Sequence, residues 1–287
     1  MIVKEGLRRG LSPRTIKTYC FGVERFFRRT PKDPYSVKKE DVLAFLDSLI
    51  EKNAPGNTIN VSVHALKFFY EQVLHRRLTL NIPLQKKPRR LPEFLNKEEV
   101  AHILSAIENA KHRLLISLLY GAGLRVSEVV HLRIKDFDFA GNYGWVRQGK
   151  GRKDRLFILP QTLKEELLAH ITKENLAADD WLFRGWHGSF SPQSVRQILK
   201  KAWQKAKFQK RVHPHMLRHS FATHLIQNGY SVLEVQPLLG HSKMETTMIY
   251  VHLAAPQLLK VQSPYDALTR KVTPSADEHP ARQIPGH

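Results

Sequence analysis

The sequence predicts a multidomain, mainly α protein, in which an N-terminal helical bundle is followed by a C-terminal mixed α/β domain. Three observations lead there. Apolar residues recur at helical spacing as far as Val73, a basic and proline-rich stretch breaks the pattern at 83–94, and short strand-like runs between turns occur only beyond it. With 287 residues, 42% of them apolar, the chain can fill more than one core, which excludes disorder for most of its length.

Ser12 and Pro13 read as the N-cap and first position of a helix that carries Ile16, Tyr19, Val23, Phe26 and Phe27. Leu43, Leu46, Leu49 and Ile50 mark a second helix. After the Pro55–Gly56 turn, Ile59, Val63, Leu66, Phe69, Tyr70 and Val73 mark a third. Each helix has one apolar stripe, so the core of this first domain, 1–82, forms between helices, with Cys20 as a small packed residue. The linker at 83–94 sets Pro83, Pro88 and Pro92 among Lys86, Lys87, Arg89 and Arg90, a composition suited to an extended connection.

Asn96 and Glu99 have the spacing of a capping pair and open the second domain, 95–269, ahead of the apolar run at Leu114 to Tyr120. Leu124 to Leu132 reads as a short helix. Strands follow near 134–139, 144–148 and 155–159, with Gly149 to Asp154 at a hairpin tip. Ser191 and Pro192 start a helix that runs to about Lys207, and Pro214 starts another with Leu217, Phe221 and Leu225 on its buried stripe and Gly229 as its stop. Pro256 argues against an unbroken helix beyond Tyr250. Residues 270–287, with three prolines and little apolar material, are expected to be a disordered tail.

Forty-six Lys and Arg against 26 Asp and Glu give a net charge of +20, which favours a polyanionic partner, nucleic acid first. Residues 1–92 hold 19 basic and 8 acidic side chains, and the remainder 27 and 18. Both parts are therefore positive, as expected of two folded surfaces that meet one polyanion rather than of a basic tail. A single cysteine excludes an internal disulfide, no apolar run is long enough to span a bilayer, and no apolar signal core follows the N-terminal cations. A cytoplasmic, nucleoid-associated protein with no membrane partner is the expectation.

Four local patterns carry chemistry. His215 and Arg218 lie three apart on one helix, pairing a group that titrates near neutrality with a fixed charge that matches phosphate. An ordinary basic helix face is the alternative. In Gly121-Ala-Gly-Leu-Arg-Val-Ser-Glu128, Arg125 stands near a helix start, where backbone N–H groups also favour an anion, and Glu128 one turn on can orient it or form a plain surface salt bridge. Lys150 at the hairpin tip can protonate a leaving sugar oxygen if desolvated, whereas Arg152 and Lys153 suit backbone contacts; a solvated basic turn is equally consistent. His241 precedes Tyr250 by nine residues. A phenol beside cations can attack phosphorus, although any one of eight tyrosines is by default an ordinary core or interface side chain.

The order of these patterns over residues 4 to 260 resembles the tyrosine recombinase, or phage-integrase, family, especially its Xer-like and integron-integrase members. The resemblance implies a helical core-binding domain and a catalytic domain that form a C-shaped clamp on duplex DNA. It assigns Arg125, Lys150, His215, Arg218, His241 and Tyr250 to the six catalytic positions and Glu128 to the supporting acidic one. The implied reaction is site-specific recombination through a 3'-phosphotyrosyl intermediate and a four-way junction. Tyr250 attacks, Arg125 and Arg218 hold nonbridging oxygens, His241 donates a hydrogen bond, His215 is the candidate proton acceptor and Lys150 protonates the leaving oxygen. No cofactor or metal is called for, since the covalent intermediate retains the bond energy. Paired recombination sites imply a DNA-assembled homotetramer, with a heteromeric partner as a variant. Arg14 and Lys17 of the first domain, together with the linker cations and Arg152 and Lys153, are the expected DNA contacts. Two other classes stay open: a catalytically inactive architectural or regulatory DNA-binding protein, and a metal-dependent nucleic-acid hydrolase built on His213, His215, His219 and His224.

Overall fold

The computed structural model describes residues 1–76, 82, 84–85, 92–147, 154–186, 188–210, 212–241 and 244–258, without the side chains of 252 and 254–258. The linker cations Lys86, Lys87, Arg89 and Arg90, the hairpin cations Lys150, Arg152 and Lys153, and the tail at 270–287 lie outside the described residues. The chain divides into two compact units, Met1–Arg90 and Leu91–His287.

The first unit is helical: α1 (Ile2–Arg8), α2 (Pro13–Arg29), α3 (Lys39–Glu51) and α4 (Gly56–Lys67). Ser12 caps α2 as its sequence indicates, accepting the Thr15 N–H at 3.1 Å, and Pro13 takes the first turn, where its missing N–H costs nothing. The aromatic positions close the core through edge contacts between Phe26 and Phe45, and between Phe27 and Phe69. The third apolar stripe is not one regular helix. After Lys67 the backbone widens into a π-helical turn, Phe68–Val73, which rotates Phe69 and Tyr70 into the core. Tyr70 is fully buried, and its burial pushes the phenol up to about 12.

In the second unit, α5 (Lys97–Ser105) opens on the expected reciprocal cap, Asn96 accepting from the Glu99 N–H and Glu99 from the Asn96 N–H. Next come α6 (Ala110–Gly121) and the four-residue α7 (Val126–Val129), shorter than the sequence suggests because the chain turns at Val130–His131 and Arg133 pairs with Trp181, ahead of a 3-10 turn at Ile134–Asp136. The strands β1 (Phe137–Asp138), β2 (Tyr143–Val146) and β3 (Arg155–Ile158) form an antiparallel sheet in that order, with Val146 opposite Arg155. Their alternation sends Gly144, Val146, Arg155 and Phe157 inward and Trp145, Leu156 and Ile158 outward. After the sheet come α8 (Gln161–Lys173), a small hairpin of β4 (Arg184–Gly185) and β5 (Gly188–Ser189), and four more helices. These are α9 (Pro192–Lys205), α10 (Pro214–Gln227), α11 (Val232–Leu239) and α12 (Glu245–Leu258).

One core runs from Leu95 through α6, the sheet and α9 to Leu217, while Phe221, Ala222, Val235, Leu239 and Tyr250 make a smaller cluster between α10, α11 and α12. The expectation of a break after Tyr250 is corrected, since α12 continues through Pro256. That proline sits in the last turn, so it removes one backbone hydrogen bond where the helix is already ending. Among the described residues no helix is long and apolar enough to cross a membrane.

Candidate active site

The site is built around the end of α11. Gly240 ends that helix with φ +57°, a left-handed turn that leaves the Leu238, Leu239 and Gly240 carbonyls free of helical partners and facing inward. Three arginines take them. Arg155 Nη1 donates to Leu238 O, Arg218 Nη2 donates to Leu239 O, and Arg125 Nη2 reaches Leu239 O at 3.3 Å and Gly240 O at 3.5 Å. A Cβ on residue 240 would stand 2.6 Å from Arg155 Cδ, so this turn requires glycine for space as well as for conformation.

Glu128 is the single acid of the cluster. It is 7% exposed; Oε1 accepts from Arg125 Nη1 at 2.5 Å and Oε2 from Arg155 Nη2 at 2.6 Å, with Arg218 Nη1 at 3.9 Å. Burial by itself pushes the Glu128 carboxyl up, but the charges and hydrogen bonds of Arg155 and Arg125 outweigh it and hold the group below the usual carboxylate range. Oε2 also accepts the Arg125 backbone N–H at 2.8 Å. This corrects the picture of an open helix start beside Arg125, because the carboxylate already occupies it. Arg218 is almost wholly buried, donates at 2.6 Å to Gly123 O, and is brought down to about 9 by burial and by the like charge of Arg125. Gly123 holds φ +57° against the Phe221 ring, where a Cβ would lie 2.3 Å from Cδ1.

Across from the arginines lie the histidines and Tyr250. Tyr250 is 2% exposed; burial raises its phenol above the ordinary value although Arg218 and Arg125 pull it down. The His241 ring lies nearly parallel to the Tyr250 ring, with centroids 6.2 Å apart, and His241 Nδ1 is paired with Thr247 Oγ1 at 3.0 Å. Burial first, then Arg218 and Arg125, bring His241 to about 4. His215, at the open end of α10, is exposed; desolvation by the atoms around it and then the Arg218 charge lower its pKa.

The structure thus brings together Arg125, Glu128, Arg218, His241 and Tyr250, with His215 at the rim. Arg14 and Lys17 are exposed on α2 in the other unit. Two residues of the site were not among the candidates. Arg155, first in β3, pairs with Glu128, and the signal for it was a charged residue in phase with Phe157 on the inward side of a strand. His219, placed above only in a hypothetical metal cluster, forms a hydrogen bond with Tyr250 Oη through Nδ1 at 3.0 Å. The histidine run instead points to separate partners: His213 Nδ1 accepts the Met216 N–H at 3.2 Å as the cap of α10, and His224 Nδ1 pairs with Tyr120 Oη at 2.9 Å. Among the described residues no group of three or more His, Cys, Asp or Glu side chains gathers as a metal site.

Comparison with known proteins gives consistent results. Residues 93–256 match the Phage integrase family, and residues 4–80 match the Phage integrase, N-terminal SAM-like domain. A tyrosine recombinase XerA of Thermococcus onnurineus (strain NA1) is 38% identical over 260 residues, covering 88% of this chain and 89% of that protein. A putative integrase/recombinase, y4qK, of Sinorhizobium fredii (strain NBRC 101917 / NGR234) is 35% identical, covering 91% and 86%. Among solved structures, that of a XerA recombinase is 28% identical with a TM-score of 0.54, covering 94% of this chain and 97% of the other. A XerH site-specific recombinase in a pre-cleavage complex with difH substrate is 26% identical with a TM-score of 0.70, covering 90% and 81%.

Proposed function

The chain belongs to the phage integrase family of tyrosine recombinases and carries out site-specific DNA recombination, and from that premise we propose that Tyr250 is its nucleophile. In this reading Tyr250 Oη attacks the scissile phosphorus, the bond to the 5'-oxygen breaks, and the 3'-phosphate stays on the enzyme as a phosphotyrosyl ester. A 5'-hydroxyl of the partner strand then attacks that ester and releases the tyrosine, so that one phosphodiester replaces another.

Arg125 and Arg218 hold the nonbridging oxygens, His241 contributes a hydrogen bond at the phosphate, and His215 is the proton acceptor that the motif implies. Lys150, which lies between β2 and β3 in the sequence, protonates the departing 5'-oxygen, and Glu128 orients the arginines. The observation that carries the reading is the buried Tyr250, which shares its pocket with the His241 ring and feels the charges of Arg218 and Arg125. A plain core tyrosine would not account for cations held around it at the cost of burying them.

Further parts of the proposal concern partners. Arg14, Lys17, the linker cations Lys86, Lys87, Arg89 and Arg90, and Arg152 and Lys153 contact the DNA backbone, one unit folding over roughly 1–82 and the other over 95–269. Two duplexes with paired sites assemble four copies, or copies of this chain with a related partner, and the protein works at the nucleoid. The net charge of +20 supports a polyanionic partner, as does the solved complex of a XerH site-specific recombinase with its difH substrate.

The test is a nicked suicide substrate that traps the covalent ester. The intact protein yields a protein–DNA adduct in the presence of chelator, and Tyr250→Phe yields none while still binding DNA. An adduct that persists in Tyr250→Phe rules out Tyr250 as the sole nucleophile, and loss of the adduct in chelator points to metal chemistry.

A further inference from the structure

The hydroxyl of Tyr250 is not left to solvent or to the arginines. Among the described residues it is hydrogen-bonded to His219, which brings a second histidine within reach of the proton that the motif assigns to His215. Tyr250 Oη and His219 Nδ1 are 3.0 Å apart, their ring centroids are 5.6 Å apart, and the rings are tilted by 45°. This geometry puts the phenolic proton in line with an imidazole nitrogen. His241, whose ring lies against the same tyrosine, has its Nδ1 engaged by Thr247 Oγ1. His215 sits one helical turn from His219 on α10 and at the solvent edge of the site.

We propose that His219 is the general base of the strand-cleavage step, taking the Tyr250 proton on Nδ1 as the phenolic oxygen bonds to phosphorus. The inference rests on Tyr250 being the nucleophile and names the group that activates it. The O–H bond of Tyr250 breaks, its proton moves to His219 Nδ1, the O–P bond forms and the P–O5' bond breaks, the 5'-oxygen taking its proton from the separate acid. In the return step the incoming 5'-hydroxyl gives its proton to the group that acted as acid, its oxygen bonds to phosphorus, and the P–O bond to Tyr250 breaks as the tyrosine recovers the proton held on His219.

The surroundings explain why such a base would act only when DNA is present. Burial, then the charges of His215, His213 and Arg218, bring His219 down to about 4, so without substrate it is neutral, and in the tautomer protonated on Nε2 its Nδ1 accepts from the phenol. From α10 it faces His215, His213 and Arg218; from α12 and the turn before it, Tyr250 and His241. A phosphodiester bound on Arg218 offsets one of the charges that lower the imidazole, while burial, the larger cause, remains. The charge that builds on phosphorus during attack then favours a proton on His219.

The experiment compares single-turnover cleavage of the nicked substrate by the intact protein, His219→Ala and His219→Asn. Each is also made with 3-fluorotyrosine at position 250, which lowers the pKa of the phenol without removing its hydroxyl. Asparagine offers an acceptor oxygen near the position of Nδ1 but cannot hold a proton at neutral pH, so it preserves a merely structural contact. Both variants are expected to bind DNA like the parent and to cleave roughly 100-fold more slowly. The more acidic phenol is expected to shrink that deficit to under about 10-fold, because less depends on the base. Asparagine restoring cleavage to within about threefold of the parent, a deficit indifferent to fluorination, or variants that cleave faster than the parent would each overturn the proposal; the last would make His219 a latch that withholds the tyrosine. The Tyr250→Phe control keeps the two claims apart. If it still forms an adduct, the nucleophile is wrong; if it does not and the His219 variants cleave normally, only the base is wrong.

Discussion

Replacing Glu128 with glutamine tests whether one carboxylate positions the cations of the site. Four polar atoms converge on it within 4 Å: Arg125 Nη1, the Arg125 backbone nitrogen, Arg155 Nη2 and Arg218 Nη1. Glutamine keeps the shape but loses the charge, and whichever way the amide turns, one of its ends presents N–H groups to other donors. At an effective dielectric of about 20 each close pair is worth about 6 kcal/mol of Coulomb attraction, most of it offset by the desolvation of the ions. The net cost of leaving buried arginines unpaired is about 3–5 kcal/mol. For a unit of this size each kcal/mol moves Tm by about 2–4 °C, which gives a fall of about 6–20 °C in a calorimetric scan and a lower urea midpoint with an unchanged slope. DNA affinity is expected to hold or rise, since the site gains one positive charge, while the cleavage rate falls because the guanidinium groups lose their common anchor. A Tm within about 2 °C of the parent would refute the claim that the carboxylate holds the cluster.

Stability should also depend on acid in a defined window. His219 and His241 stand at about 4 in the folded protein against about 6.5 in an unfolded chain, so the unfolded state binds more protons in between; their contribution is full above 6.5 and lost as the pH falls toward 4. Partial exposure and mutual coupling reduce the sum to about 2–3 kcal/mol for the pair, and a Tm unchanged between pH 7 and pH 5 contradicts it. Gly123→Ala is expected to cost about 2–5 kcal/mol in urea unfolding. Its φ of +57° disfavours a Cβ, and that atom would overlap the Phe221 ring. Gly123→Ala combined with Phe221→Leu should recover at least about 1 kcal/mol, and strict additivity would remove the clash as the cause.

What the sequence made legible is local. Ser12, Asn96 and Ser191 declare helix starts because a cap needs only an oxygen three residues ahead of an N–H, and all three side chains do accept that bond. The second and third strands were readable from alternation and turn signals, whereas the first, expected near 134–139, opens as a 3-10 turn and pairs only at Phe137–Asp138. The π-helical turn at Phe68–Val73 was not, because apolar spacing over six residues does not separate a regular helix from a widened one. Nor were the partnerships that make the site. Glu128 meets Arg155 across 27 positions and His219 meets Tyr250 across 31, contacts made by packing that no period encodes. The motif residues could be singled out by their chemistry; the side chains that position them could not, since a histidine on a basic helix and an arginine opening a strand look ordinary until the fold supplies their neighbours.

The turn at Leu238–Gly240 shows how these partnerships add up to a mechanism. A helix C-terminus carries partial negative charge on its last carbonyls, and here Leu238, Leu239 and Gly240 spend it on Arg155, Arg218 and Arg125. With Glu128 as the one full countercharge, the cluster is held firmly but left with an excess of two positive charges, which a phosphodiester and its developing transition-state charge can meet. The same turn leads directly into His241, whose ring lies on Tyr250. A shift of the turn therefore moves arginines, histidine and nucleophile together, whereas separate loops would let each relax alone. That coupling explains why the turn carries a left-handed glycine with no room for a Cβ: the position is fixed by both its backbone and Arg155, and little freedom remains for the groups to drift from a common phosphate.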